Sequence, residues 1–286
     1  SLVGALMPTS HNLIIFALAA GGKVSIAALI LAGIVPAVLL TVCNLLAAYL
    51  VAVKRGYPAG TFPGWAIVWI SFTASVPGLA VVVIIIAGIL SGAFTATESA
   101  SVAVVWALFL SAVVYRRLTR EQFLKAASQA VKTTGTVLLL IGISSMFGYL
   151  IGLYGVAELT AEALRSFSTT PWVIFLSVNV ILFILGTFLD MAATILICTP
   201  IFMPIAMHFG MDPMQFGIVM LINCALGLNT PPVGSVQFVG CAIGEISVGQ
   251  VMRTIGPFYG ALGATLMLVT YVPWLTLGLP RLLGLM

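Results

Sequence analysis

The stretch Gly227-Leu-Asn-Thr-Pro-Pro-Val-Gly234 interrupts a part of the chain that is otherwise strongly apolar. Pro231 and Pro232 remove two backbone donors, and a proline ring clashes with the preceding turn of a helix. A straight helix therefore cannot run through these residues. We predict a broken helix here, with apolar helical segments on both sides of the break.

The rest of the chain has the composition of an integral membrane protein. Of its 286 residues, 62% are hydrophobic and only 6% are charged, and the mean hydropathy is +1.23. A soluble domain carries about 25% charged residues. Runs of about 20 residues with almost no charge are long enough to cross a bilayer. We therefore predict an all-α membrane fold, with spanning or deeply buried helices at Ile26–Val53, Val76–Leu90, Thr95–Tyr115, Gly135–Leu153, Trp172–Leu189 and Thr254–Leu277.

Residue types that catalyse bond breaking are sparse. The two histidines, His11 and His208, lie far apart, and the sequence has no H-E-x-x-H pattern, phosphate loop or nucleophile elbow. No C-x-x-C pair suggests metal or redox chemistry, and we interpret the cysteines as small buried side chains: Cys43, Cys198, Cys224 and Cys241. We predict no enzyme activity, and the modest net charge of +4 indicates no nucleic-acid partner.

The beginning of the chain repeats the order of features found near its end. Each copy has a broken apolar segment, a short Gly-charged-x-Ser loop and a long apolar helix with an early proline. The aligned pairs are Gly4–Ser10 with Gly227–Val233, Gly22–Ile26 with Gly244–Val248, and Pro36 with Pro257. The matching polar residues favour an internal repeat, and chance similarity of two apolar segments is the alternative.

Repeats with broken helices are typical of secondary transporters. Backbone polar groups cannot stay unpaired in hydrocarbon, so a break at membrane depth must lie within protein or face a cavity. Freed carbonyls at the end of one half-helix suit a cation such as Na⁺, and the amide end of the next suits an anion. We predict that residues 227–234 and their counterpart 4–12 bind ligands, and a proline kink without a ligand is the alternative.

The segment before this break is also interrupted by prolines. Pro200 and Pro204 lie near the middle of residues 190–209. We predict a re-entrant hairpin, in which a half-helix rises to Ile197, the chain turns at 198–200 and a second half-helix returns. A single helix kinked at both prolines is the alternative.

Three carboxylates lie beside apolar segments and have predicted local roles. Asp212 followed by Pro213 has the pattern of a helix start, with aspartate as the N-cap and proline at the first position. Glu98 could cap a helix together with Thr95, face a partner subunit or lie in a short external loop. Asp190 could orient the hairpin or bind a ligand at its mouth.

Basic residues predict which side of the membrane is cytoplasmic. Lys54 and Arg55 form one cluster, and two apolar runs separate it from a second cluster, so both lie on one side. The positive-inside rule makes that side cytoplasmic. Residues 118–132 are amphipathic and predict an arm helix along the membrane surface. The second cluster consists of Arg116, Arg117, Arg120, Lys125 and Lys132.

Three quoted stretches resemble the large membrane (M) subunit of TRAP transporters, the tripartite ATP-independent periplasmic transporters. These are GTFLDMAATILICTPIFMPIAMHFGMDPMQFGIVMLINCALGLNTPPVG (186–234), GILSGAFTATESASVAVVWAL (88–108) and GALMPTSHN (4–12). The pieces at 212–217 and 230–234 are specific in combination. The resemblance covers essentially the whole chain, and we expect a longer subunit with a further hairpin before residue 4.

The resemblance implies a sodium-coupled importer of a small organic acid, such as a C4-dicarboxylate, a sialic acid or another sugar acid. The implied partners are a small membrane (Q) subunit, a periplasmic substrate-binding (P) protein and membrane lipid, and the implied location is the bacterial inner membrane. The implied fold is an elevator, in which a transport domain slides against a scaffold. Residues 1–53 would end the first transport repeat, 54–133 would form the scaffold and arm, and 134–286 would form the second repeat, with the hairpin at 190–209 and the broken helix at 213–243.

The resemblance also implies ligand sites. Substrate would lie near Ser10, Asn12 and Asn229. Thr9 stands where many members have a second proline, which weakens any inference about substrate identity. The first sodium site would use Gly4, Pro8, Thr9 and Ser10, and the second would use Thr199, Gly227, Asn229, Thr230 and Pro232.

Two expectations conflict. The predicted crossings give both broken-helix copies the same orientation, whereas the resemblance implies inverted repeats, so one crossing is misassigned. The weakest candidates are Val76–Leu90 and Gly135–Leu153. Alternatives to the transporter are an ion or solute channel, a sodium-coupled carrier without a binding protein and a non-transporting scaffold subunit.

Overall fold

The computed structural model describes residues 3–7, 10–58, 60, 62–91, 93–231 and 234–285. These residues are mostly helical and contain no β-strand. A 3₁₀ turn at Val3–Ala5 is followed by α1 (His11–Ala19), α2 (Ile26–Arg55), α3 (Trp65–Leu90), α4 (Ala96–Phe109), α5 (Arg120–Leu153), α6 (Val156–Phe167), α7 (Pro171–Phe188), α8 (Met191–His208), α9 (Pro213–Gly227), α10 (Ser235–Ile243), α11 (Val248–Met252), α12 (Gly256–Tyr271) and α13 (Trp274–Leu282). A π-helical turn, Leu110–Val114, extends α4.

Six helices in the described part of the chain are long and apolar enough to cross a membrane. They are α2, α3, α4 with its π-helical turn, α5, α7 and α8. A further span would be formed by α12 and α13, which together pass the same test but bend by 58° where they meet. The expectation of an all-α, multi-span protein is therefore confirmed.

Several helices differ from their predicted bounds. α3 begins at Trp65, well before Val76. The predicted arm helix at 118–132 and the span at Gly135–Leu153 form one continuous 34-residue helix, α5, because no proline or turn-forming residue separates them. α6 was not predicted, since Glu158 and Glu162 interrupt its apolar pattern.

The chain divides into two compact units. The smaller comprises residues 55–137, and the larger comprises residues 1–54 and 138–286. In the smaller unit, the indole N–H of Trp106 on α4 donates to the carbonyl of Pro77 on α3 at 3.1 Å. The assignment of these segments to a scaffold and two transport repeats stays a prediction.

The larger unit is organised around α9. Every residue from Met214 to Gly227 is buried, and α1, α7, α8, α12 and α13 all pack against this helix. Its sequence explains this position, because it carries no charged side chain and its only long polar side chains, Gln215 and Asn223, are hydrogen-bonded within the protein. At Gly217 a methyl group would lie 2.4 Å from the ring of Phe16 on α1, so the absence of a side chain permits the close approach.

The predicted re-entrant hairpin is wrong, and the alternative of a single helix is correct. α8 continues from Met191 to His208 through Pro200 and Pro204. No glycine, asparagine or aspartate lies within it to favour a reversal of the chain. The hydroxyl of Thr199 donates to the carbonyl of Ile195 at 2.6 Å, next to the carbonyl that Pro200 leaves without its helical donor. Such side-chain bonds and packed neighbours allow prolines within membrane helices.

A chain of buried hydrogen bonds joins α7, α9 and α12. The amide of Asn223 donates to the side-chain oxygen of Asn179 at 2.7 Å, and the amide of Asn179 donates to the hydroxyl of Thr270 at 3.0 Å. Thr270 donates in turn to the carbonyl of Leu266 at 2.7 Å. All three side chains are almost completely buried, so a lost partner could not be replaced by water.

Thr270→Val should lower the free energy of unfolding by about 1–3 kcal/mol, because it removes the acceptor of the buried Asn179 amide. The measurement is the thermal unfolding midpoint of the purified protein in detergent. Thr265→Val is the matched control, since Thr265 is equally buried on α12 and bonds the carbonyl of Ala261 in its own helix. Equal midpoints for the two variants would contradict a stabilising role of the network.

Candidate ion-binding site at the helix break

The predicted break is present between α9 and α10. α9 ends at Gly227 and α10 begins at Ser235. The chain tightens as α9 ends, because the amides of Asn229 and Thr230 donate to carbonyls three residues earlier, at 3.2 and 2.8 Å. The amide of Gly234 then bonds the carbonyl of Thr230 at 3.2 Å, which leads into α10. The start of α10 therefore faces the same short loop in which α9 ends.

Two side chains of the break turn back onto α9. The amide of Asn229 donates to the carbonyl of Ala225 at 2.8 Å, and the hydroxyl of Thr230 donates to the carbonyl of Leu226 at 2.9 Å. These bonds satisfy carbonyls at the end of a helix. The two side-chain oxygens keep lone pairs after these donations. Half-buried amide and hydroxyl oxygens of this kind suit a hard cation.

α7 approaches the break through a pair of glycines. A methyl group on Gly227 would lie 2.4 Å from the carbonyl carbon of Gly186 and 2.5 Å from its oxygen. A methyl group on Gly186 would lie 3.4 Å from the Cα of Cys224. Backbone thus meets backbone at this point, and α7 forms one wall of the break.

α12 contacts the break through a tyrosine. The hydroxyl of Tyr259 donates to the carbonyl oxygen of Asn229. The sequence prediction missed this residue, because Tyr259 lies in an apolar helix and belongs to no motif. The only available signal was the general need of a partly buried tyrosine hydroxyl for a hydrogen-bond partner.

The counterpart break near residue 4 is described in part. Pro8 and Thr9 lie outside the described residues, as does Pro232 in the second break. Ser10 is the N-cap of α1, and its buried side chain makes no capping hydrogen bond. Gly4 lies in the 3₁₀ turn, where its carbonyl accepts the amide of Met7 at 3.4 Å.

The predicted substrate-binding role of Ser10, Asn12 and Asn229 stays a prediction. Among the described residues, no hydrogen bond links Ser10 or Asn12 to Asn229. The first break instead lies near the beginning of α9, where a methyl group on Gly33 would meet both the carbonyl of Leu6 and the side chain of Ile218. Ile218 is roughly 14 Å along α9 from the second break, at 1.5 Å per residue.

Thr199 lies in the middle of α8 and not at a hairpin tip. Its side chain is fully buried, and its hydroxyl is 3.4 Å from the sulfur of Met220 on α9. The placement predicted for Thr199 is therefore wrong, whereas its role as a sodium ligand stays a prediction.

The carboxylates near apolar segments cap helices. Asp212 accepts an amide of the first turn of α9 at 2.8 Å, with Pro213 at the first position, as predicted. Asp190 does the same for α8 at 3.2 Å. Thr95 and Glu98 form a reciprocal capping box at the start of α4. Each carboxylate thus satisfies amides at a helix start, which is one of the roles predicted for Glu98.

Comparison with known proteins places this geometry in a family. Residues 1–275 match the family model described as the DctM component of the tripartite ATP-independent periplasmic transporters. The chain belongs to this family. Its members are transporter components and not enzymes, and they are multi-pass proteins of the inner membrane. The resemblance found in the sequence is confirmed.

Three relatives align with nearly all of the chain. It is 41% identical over 280 residues to the uncharacterised protein YgiK of Salmonella typhimurium. This alignment covers 98% of the chain and 64% of YgiK. It is 36% identical to the C4-dicarboxylate TRAP transporter large permease protein DctM of Pseudomonas aeruginosa, and the alignment covers 99% of the chain and 66% of that protein. It is 34% identical to the sialic acid TRAP transporter large permease protein SiaM of Vibrio cholerae, and the alignment covers 98% of the chain and 65% of that protein. The chain spans just under two thirds of the length of these relatives.

Gly227→Ala should destabilise the DctM-family chain by about 1–3 kcal/mol, because the new methyl group forces α7 and α9 apart at a backbone contact. Gly240→Ala on α10 is the matched control, since a methyl group there meets no atom within 4 Å. The measurement is the unfolding midpoint and the monodisperse fraction in detergent. Indistinguishable behaviour of the two variants would show that the contact at Gly186 does not hold the break.

Proposed function

We propose that the chain is part of a sodium-coupled secondary transporter that imports a small organic acid. The observation that carries this proposal is the helix break at the end of α9, in a chain of the DctM family. Two adjacent residues there, Asn229 and Thr230, carry a backbone carbonyl, an amide oxygen and a hydroxyl. Oxygens of this kind are ligands for hard cations, and broken helices in secondary transporters hold coupling ions.

The proposed cation sites are those implied by the sequence. The site at the second break uses Gly227, Asn229, Thr230 and Pro232, with Thr199 from α8. The site at the first break uses Gly4, Pro8, Thr9 and Ser10. The anionic substrate would lie near Ser10, Asn12 and Asn229, where the amide end of α10 favours negative charge.

The proposed substrate is a carboxylate, and the names of two relatives point to a C4-dicarboxylate or a sialic acid. The proposed system has two further components, a small membrane (Q) subunit and a periplasmic binding (P) protein that delivers the substrate. Transport would follow an elevator mechanism, in which one domain carries the substrate across the membrane. The description of the family as a component of tripartite transporters supports this composition.

The test is uptake into proteoliposomes that contain the full-length protein and its small subunit. A panel of radiolabelled C4-dicarboxylates, sialic acids and other sugar acids is offered with and without a sodium gradient and the binding protein. We expect uptake of one class that requires both. Rapid, non-saturating flux that needs neither would refute the proposal and favour a channel.

Thr230→Val should raise the sodium concentration that gives half-maximal uptake by roughly tenfold, the order expected for one lost bond to a charged partner. The valine keeps the shape of the side chain and removes only the hydroxyl. Thr230→Ser is the matched control, because it keeps the hydroxyl and should stay close to wild type.

Sodium dependence is measured at constant ionic strength, with choline chloride replacing sodium chloride. The two variants are compared at equal amounts of folded protein. If Thr230→Val keeps the wild-type sodium dependence, the hydroxyl is not a sodium ligand.

A further inference from the structure

A helix that contributes no residue to the proposed cation site donates a hydrogen bond to the break. This bond joins the hydroxyl of Tyr259 on α12 to the carbonyl oxygen of Asn229. We propose that Tyr259 is a positioning residue, which holds the Asn229 carbonyl in the orientation required to ligate the coupling cation. The inference rests on the proposed sodium coupling and adds a residue to it.

The local sequence removes one of the backbone donors that the Asn229 carbonyl could use. The carbonyls of Leu226 and Gly227 accept amides three residues on, at 3.2 and 2.8 Å, and that of Thr230 accepts the amide of Gly234 four residues on, at 3.2 Å. Three residues after Asn229 is Pro232, which has no N–H to offer. The Tyr259 hydroxyl donates to this carbonyl from α12. A carbonyl oxygen has two lone pairs, so one can accept this proton while the other faces a cation.

Tyr259 is itself held in place, because α12 is tied to both ends of α9. At the far end, the buried amide of Gln215 donates to the carbonyls of Val269 and Thr270, at 3.0 and 2.9 Å. Gln215 and Asn229 are roughly 20 Å apart along α9 and its extension. α12 therefore packs along the length of α9. Tyr259 lies near the N-terminal end of α12, which contacts the break.

A second tyrosine on the same helix gives a matched control. The hydroxyl of Tyr271 donates to the carbonyl of Trp172 on α7 at 2.9 Å, and the two rings stack at 4.1 Å. Tyr259→Phe and Tyr271→Phe thus each remove one hydroxyl bond to a backbone carbonyl from α12. Only the first of these carbonyls belongs to the break.

The experiment measures binding of ²²Na⁺ to the purified full-length transporter, so that no substrate needs to be known. We expect Tyr259→Phe to raise the sodium dissociation constant by about 2- to 10-fold, the range for one neutral hydrogen bond. Tyr271→Phe should bind sodium as the wild type does. The unfolding midpoints without sodium should be similar for the two variants.

The outcomes separate this inference from the proposed function. Wild-type binding of sodium together with an unchanged constant in Tyr259→Phe would overturn the role of Tyr259 and leave the sodium coupling standing. Equal weakening in both variants, or a Tyr259→Phe protein that unfolds without sodium, would show a structural role only and also overturn it. No saturable sodium binding by the wild type would overturn the sodium coupling itself, and the inference with it.

Discussion

The pairing of backbone polar groups away from water is the constraint on which this structure depends. Where α9 ends, the carbonyls of Ala225 and Leu226 accept side-chain donors from Asn229 and Thr230. The carbonyl of Asn229 receives its donor from Tyr259 on another helix. Because these donors bond carbonyls at the end of the helix, α9 can end inside the unit without leaving those carbonyls unpaired.

Close packing around α9 also holds the break in position. Gly186 and Gly227 let α7 touch the break backbone to backbone, and Gly217 lets Phe16 approach the opposite end of the helix. Small residues are the usual means of close helix contact where lipid removes the hydrophobic drive between helices. The bonds through Asn223 then fix α7, α9 and α12 laterally. A break held on two sides in this way can keep ligand geometry that a free loop would lose.

The residue types within a few positions of each other predicted the break and the helix start, because these features depend on neighbouring residues. Two adjacent prolines between Gly227 and Gly234 predicted the break after α9, and Asp212-Pro213 predicted the start of α9. The same rule failed at Pro200 and Pro204, because packing and the hydroxyl of Thr199 keep α8 helical where the sequence alone favours a turn. Tyr259 was beyond prediction, since its partner is a backbone atom 30 residues away in sequence.

The continuous α8 also changes the count of candidate crossings. With a re-entrant hairpin, both broken helices would point the same way, contrary to the inverted repeat that the family resemblance implies. If each of the six candidate helices crosses once, α8 adds one crossing between the two copies and makes their orientations opposite. On that count the misassigned crossing is the hairpin, while Val76–Leu90 and Gly135–Leu153 lie within α3 and α5, two helices long and apolar enough to cross a membrane. Opposite orientation is the arrangement that alternating access favours, because it offers an equivalent half-site to each side of the membrane.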